Sequence, residues 1–185
     1  MTGKLGKPIL CDMENVLIRK VQGSDAQRIA DIYNPFITGT TISFEEEPVS
    51  AAEIQRRISS VQSQSFPWLC AETNGVFAGY AYATRWRERP AYRYTAESTI
   101  YLDPAFSSQG IGRQLYSTLI DELRKAGMHA VIGVITIPNP ASVTLHEKLG
   151  FTKVAHFSEV GYKFSRWLDV GYWQLMLKIS MNFNT

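Results

Sequence analysis

Apolar and polar positions alternate along the chain in two distinct periods, and the changes of period mark the elements. Val16 to Val21 reads as a first strand. Ser24-Asp25-Ala26-Gln27 has the form of a capping box, and the helix behind it places Ile29, Ile32 and Tyr33 on one face, ending before Pro35. Residues 36–49, with Phe36 and Phe44, read as a loop or broken helix. Ser50-Ala51-Ala52-Glu53 is a second capping box, whose helix aligns Ile54, Ile58 and Val61. Trp68 to Glu72 and Val76 to Thr84 flank Asn74-Gly75, the dipeptide suited to a turn with two positive φ angles, and so predict a hairpin. A strand over 96–103 leads through a glycine-bearing segment into a helix with Ile111, Leu115, Leu119 and Leu123 on one stripe and Gly127 at its end. Ala130 to Ile137 is almost wholly apolar, as in a strand buried on both faces. Ser142 to Leu149 reads as a short helix stopped by Gly150. Phe151 to Phe157 and Tyr172 to Ile179 read as the last strands, the second with Trp173, Leu175, Leu177 and Ile179 on one face.

This order (strand, two helices, hairpin, strand, helix, strand, helix, two strands) predicts a single α/β or α+β domain with a mixed sheet flanked by helices. Its span is residues 16–180, behind a flexible leader over 1–15 and before a short tail over 181–185. The chain has 185 residues, 45% of them hydrophobic, enough for one domain with a sizeable core. The net charge of +2 lacks the basic footprint of a nucleic-acid binder. No apolar stretch reads as a secretory signal or a membrane span, so the expected location is the cytoplasm. Cys11 and Cys70 lack metal-ligand spacing, and no metal site is expected.

Candidate chemistry begins at Ser107-Ser108-Gln109-Gly110-Ile111-Gly112-Arg113, between a strand and a helix. Two glycines let several backbone N–H groups approach an anion, and the helix start adds unpaired N–H groups and the positive end of its dipole. No Asp or Glu lies between Pro104 and Leu119 to oppose that field, and Gln109 and Arg113 add donors. A pyrophosphate suits such a site. The segment is neither a Walker loop nor the dinucleotide fingerprint, because Gly-Lys-Ser/Thr and the third glycine are missing. Downstream, Asn139, Ser142 and His146 are spaced to share one helix face, with Leu145 and Leu149 toward the core. Glu97, at the head of an apolar strand, is a carboxylate whose pKa desolvation would raise toward that of a general base.

The glycine segment resembles the acetyl-CoA pyrophosphate loop of the GNAT superfamily, Gln/Arg-x-x-Gly-x-Gly/Ala, with Ser107 in place of the long polar residue. The stretch from Asn139 to Gly150-Phe151 has the GNAT form as well, with His146 where a Tyr commonly stands. Four pieces together resemble the phosphinothricin and methionine sulfoximine N-acetyltransferases: Ile29 to Asn34, Arg93 to Leu102, Leu145 to Phe151, and Gly161 to Phe164 continuing through Arg166-Trp167-Leu168-Asp169 to Trp173-Gln174. The likeness runs from about Val16 to Leu177.

That resemblance implies a GNAT fold with a mixed, mostly antiparallel sheet, acetyl-CoA as donor, and commonly a homodimer. By position, Ile100, Tyr101 and Leu102 would offer backbone to the pantetheine, and Ser108, Gln109, Gly110, Ile111, Gly112 and Arg113 would hold the pyrophosphate. Asn139, with Ser142 beside it, would meet the cofactor arm, and Glu97 and His146 fall on acid–base positions. The expected reaction is direct transfer to the amino group of a small amino-acid-like acceptor of phosphinothricin, methionine sulfoximine or methionine sulfone type. Arg87, Tyr92 and Arg93 are suited to bind its carboxylate, and Phe36 and Phe44 to wall the pocket. The segment from Lys163 to Trp167, basic and aromatic, would complete the pocket or a dimer contact. Two alternatives share the coenzyme: a protein or peptide N-terminal acetyltransferase, and a non-catalytic CoA-binding protein.

Overall fold

A computed structural model of the chain describes residues 16–177, so the expected leader and tail, and Ile179 in the last strand, lie outside the described residues. The elements are β1 (Val16–Lys20), α1 (Ala26–Gly39), α2 (Ala51–Ser63), β2 (Trp68–Thr73), β3 (Val76–Arg85), β4 (Thr95–Leu102), α3 (Ile111–Lys125), β5 (Ala130–Ile137), α4 (Pro140–Lys148), β6 (Thr152–Lys163) and β7 (Arg166–Met176). The seven strands form one sheet in the order β1-β2-β3-β4-β5-β7-β6. Only β4 and β5 run parallel; the remaining neighbours are antiparallel.

The two faces of the β2–β4 region differ in side-chain size. Ala71, Ala81, Ala83 and Ala96 line one face, and these short side chains let α3 settle closely with Leu115, Leu119 and Leu123 fully buried. The opposite face carries Trp68, Tyr80, Tyr82 and Tyr101 beneath α1 and α2, with Trp68 and Tyr82 stacked at 4.3 Å between ring centroids. Ser50 caps α2 as expected, its hydroxyl accepting from the Glu53 N–H, and Asn74 and Gly75 both take positive φ in the β2–β3 turn.

Three expectations need correction. The box before α1 forms two residues earlier, with the Asp25 carboxylate accepting from the Gln22 N–H, and Ser24 caps nothing. Buried Asp25 is also held by Arg19, which reaches Glu72 too. Next, α1 runs through Pro35 to Gly39. An interior proline costs roughly 3 kcal/mol, but the turn beyond it buries Ile37 and sets Phe36 against Tyr101, and Asn34 bonds both backbone groups of Val49. Finally, β6 and β7 form a hairpin far longer than expected. Its register shifts between Phe157 and Gly161 and obscures the alternation, and its turn residues Phe164 and Ser165 take positive φ without the usual Asn or Gly signal.

The feature that makes a site is a fork. β4 and β5 pair only from Thr95↔Ala130 to Ser98↔Gly133. Beyond that point Thr99 to Leu102 pair with β3 alone, and Val134 to Ile137 with β7 alone. The facing edges of both strands therefore keep backbone N–H and C=O groups without strand partners.

Candidate active site

A cleft of about 820 Å³ opens from the fork. Its walls are the open end of β4, the start of α3, and the first turns and outer side of α4. Ile100, Tyr101, Leu102, Ser108, Gly110, Gly112, Arg113, Asn139 and Ser142, all singled out from the sequence, line it. Gln109 does not; its amide turns back to the Ala105 carbonyl. Ile111 sends its side chain into the core and leaves only backbone at the helix start. Among the described residues the lining includes Arg113 and Lys148 but no carboxylate. Lys148, Ser107, Thr144 and Ile42 were missed by sequence reasoning. Residues 141, 144, 145 and 148 repeat at helical spacing, which is the signal for the lining face of α4.

The glycines are needed for shape. Gly110 is the residue before α3 and has φ of +80°, a left-handed conformation costly for other residues. A Cβ on Gly112 would stand 2.8 Å from the Leu102 side chain, so a larger residue would push the helix start off β4. The first turn of α3 holds no acidic residue, and its N–H groups lack intrahelical partners, a combination that favours an anion. Asn139 spends its side-chain oxygen on the Ser142 N–H as the cap of α4. Size, charge and backbone together suit a phosphorylated coenzyme with a long arm laid along β4.

Glu97 and His146 stand on opposite faces of the sheet at the root of the fork. Ser98, next to Glu97, points toward α3, where its hydroxyl meets Tyr116 at 2.7 Å; Glu97 by alternation points the other way. Burial raises the pKa of its half-buried carboxyl, and Arg87 only partly opposes this. Its neighbours across the sheet are Thr84 on β3 and Ile132 on β5.

His146 is 4% exposed and fills the space left by Gly133, where an added Cβ would lie 2.4 Å from its Nε2. Its Nδ1 lies 2.8 Å from the Ser142 carbonyl, to which only a protonated nitrogen can donate. Burial lowers its pKa, so the ring is neutral and Nε2 accepts from the Tyr116 hydroxyl at 2.9 Å. The helix face shared with Ser142 thus turns inward at position 146, and the imidazole reaches the fork through Tyr116 and Ser98 rather than from the cleft wall. The sequence could not show this, because α4 has nearly even polarity all round and the pit comes from β5.

A second, smaller pocket of about 280 Å³ lies on Glu97's face of the sheet, lined by Trp86, Arg87, Ile132, Val154, Ala155, Phe157, Tyr172 and Gln174. Ile132 is the register partner of Glu97. The buried indole N–H of Trp86 has no hydrogen-bond partner there. Of the residues expected to meet the acceptor, Arg87 lines this pocket and stacks over Trp86, and Tyr92 packs edge-on against the same ring. Arg93 bonds the Pro90 carbonyl and lies over Tyr94, away from both cavities. Phe36 lines the larger cleft against Tyr101, and Phe44 packs over Gly161. No cluster of metal-ligating side chains occurs among the described residues, nor is any described helix long and apolar enough to cross a membrane.

Comparison with known proteins agrees with this geometry. Residues 18–171 match the model of an acetyltransferase (GNAT) domain. A phosphinothricin N-acetyltransferase of Streptomyces viridochromogenes is 40% identical over 86% of this chain and 86% of its own. An L-methionine sulfoximine/L-methionine sulfone acetyltransferase of Salmonella typhimurium is 39% identical over 86% of this chain and 94% of its own. The structure of an acetyltransferase from Salmonella typhimurium with its cofactor acetyl-CoA superposes with a TM-score of 0.86 at 38% identity, covering 89% of this chain and 95% of that one. A phosphate-shaped helix start, a forked parallel strand pair and these relatives converge: the chain belongs to the GNAT acetyltransferase family.

Proposed function

We propose that this enzyme transfers an acetyl group from acetyl-CoA to the amino group of a small amino-acid-like acceptor, of the phosphinothricin, methionine sulfoximine or methionine sulfone type. The observation that carries the reading is the fork, with a coenzyme-sized cleft on one side and the desolvated Glu97 on the other. The coenzyme supplies an activated thioester. The residues from Ser108 to Arg113 hold its diphosphate through backbone N–H groups, and Ile100, Tyr101 and Leu102 offer their free strand edge to its arm. A backbone N–H near Tyr101 is placed to polarise the thioester carbonyl. Asn139 shapes the α4 wall by capping it.

Glu97 takes the proton that the acceptor's ammonium must lose before attack. His146 manages the second proton on the other face through the hydroxyls of Tyr116 and Ser98, either receiving one or returning one to the departing thiolate. Arg87 and Tyr92, with the unpaired Trp86 N–H, form the recognition surface for a carboxylate and a polar tail. Phe36 closes the far side. Holding the two reactants across the fork supplies proximity, which for well-oriented pairs reaches effective molarities on the order of 10⁵ M or more.

The working form is a cytoplasmic homodimer. The β6–β7 tip exposes Val160, Tyr162, Phe164 and Trp167 together, an apolar group suited to a partner copy. Cys70 is a buried free thiol, as expected in a reducing compartment.

Steady-state acetylation of phosphinothricin, methionine sulfoximine and methionine sulfone, set against a panel of peptides, tests the reading. Turnover of at least one free amino-acid analogue above every peptide is expected; turnover of peptides alone, or none with coenzyme bound, overturns it. Glu97→Gln and His146→Ala are each expected to lower turnover with little change in acetyl-CoA affinity. Unchanged turnover in both removes the acid–base assignment.

A further inference from the structure

Lys163 ends β6 and is 3% exposed, although its neighbours Tyr162, Phe164 and Trp167 face solvent. Its ammonium donates to the Ile37 and Ser43 carbonyls, both at 2.6 Å, and lies 5.0 Å from the Phe164 ring centroid. Ile37 lies in the last turn of α1, where carbonyls lack helical partners and the dipole favours a cation. That turn has no basic residue of its own, so a lysine 126 positions away supplies the cap. Two residues before Lys163, Gly161 receives the Phe44 ring: an added Cβ would sit 2.3 Å from it. Phe164, a bulky residue, holds φ of +50° beside the ammonium, a conformation that persists only when surroundings enforce it.

What these contacts fasten is the segment from α1 to α2. It carries Phe36 and Ile42, which line the cleft. Phe36 and Tyr33 pack on Tyr101, whose ring lies on the same face of the sheet as Glu97. The same segment is also held from α1 and α2: Tyr33 bonds the Ser43 hydroxyl and Glu45, and Arg57 bonds Glu45. Burial works against the charge of Lys163, with Glu45 and Glu46 favouring it.

We propose that Lys163 is a positioning residue for acceptor binding: its buried ammonium ties the β6–β7 hairpin to residues 37–44 and so fixes the wall made by Phe36 and Ile42. This rests on the assignment of Glu97's face to the acceptor.

Lys163→Met in the full chain tests the proposal, read by both KM values and by amide hydrogen exchange. Loss of two charge-assisted hydrogen bonds is expected to raise the acceptor KM about tenfold or more and acetyl-CoA KM by clearly less, because Phe36 and Ile42 also edge the larger cleft while the start of α3 is untouched. Exchange should quicken over residues 37–46 and stay unchanged at the start of α3. Lys163→Arg, which keeps the charge, should recover part of both effects. If Lys163→Met does not fold, Gly161→Ala, which displaces the Phe44 ring and leaves the ammonium in place, is expected to give the same KM split and local exchange. Equal changes in both KM values, or unchanged exchange over 37–46 in a folded variant, overturns the proposal. The exchange readout needs no acceptor, so a wrong functional reading and a wrong latch are told apart.

Discussion

The two sides of the fork are built in different ways. The coenzyme side comes from short continuous stretches: the end of β4 and the start of α3 over 100–113, then α4 over 139–148. Its chemistry is mostly backbone, provided by a helix start, two glycines and an unpaired strand edge. The proposed acceptor side gathers side chains from far apart: Trp86 and Arg87 after β3, Glu97 on β4, and Phe157, Tyr172 and Gln174 on β6 and β7, with Phe36 and Ile42 of the first segment where it borders the larger cleft. A common donor can be held by a common backbone device. Acceptors differ in their tails, and a wall assembled from many independent side chains can change one residue at a time.

The sharpest break in this comparison is Glu97→Gln. A general base typically contributes about 10²–10⁴-fold, so kcat should fall within that range while acetyl-CoA binding is kept. The pH profile sharpens the same point. Burial holds the Glu97 pKa above the ordinary 4.5, and the carboxylate form is the active one. The acid limb of kcat/KM should therefore lie above that value, with activity lost as pH falls through it, and the limb should vanish in Glu97→Gln. A limb at or below 4.5 would contradict the desolvated base.

Tyr116→Phe tests the link between the two sides. It leaves the His146 Nε2 without its donor and the Ser98 hydroxyl without Tyr116, at a cost of about 1–3 kcal/mol. Urea denaturation should show that loss, together with reduced turnover; full stability would deny the chain its role at the fork. The smallest effect is expected on the coenzyme side alone. Gly110→Ala places a Cβ at positive φ for roughly 1–2 kcal/mol, so acetyl-CoA KM should rise about tenfold with acceptor KM unchanged. Equal rises in both would show that the sides are not separable.

Local features were readable in advance because their causes are local. A left-handed turn needs Asn74-Gly75, a capped helix needs Ser50 and Glu53, and an anion cradle needs glycines before a helix without nearby carboxylates; each lies within a few residues. The order of strands and helices, and nine of the cleft-lining residues, followed from such signals and from family likeness. The box before α1 was placed two residues too late because Gln22 and Asp25 form it instead, with Asp25 buried against Arg19 by contacts that the local sequence does not show.

Other outcomes depended on neighbours remote in the chain. Pro35 stays inside α1 because Ile37, Phe36 and Asn34 find partners beyond it. His146 turns inward because Gly133, thirteen residues earlier on β5, leaves a pit for its ring. Lys163 belongs to a stretch that reads as surface, yet two carbonyls more than a hundred residues upstream draw it inside. The sequence by itself determined where backbone could bend and where helices could start, since those depend on φ and on hydrogen bonds between near neighbours. Only the tertiary structure decided on which face of the sheet Glu97 and His146 lie and what holds the segment that carries Phe36 and Ile42, because burial and partnership are set by packing between distant segments.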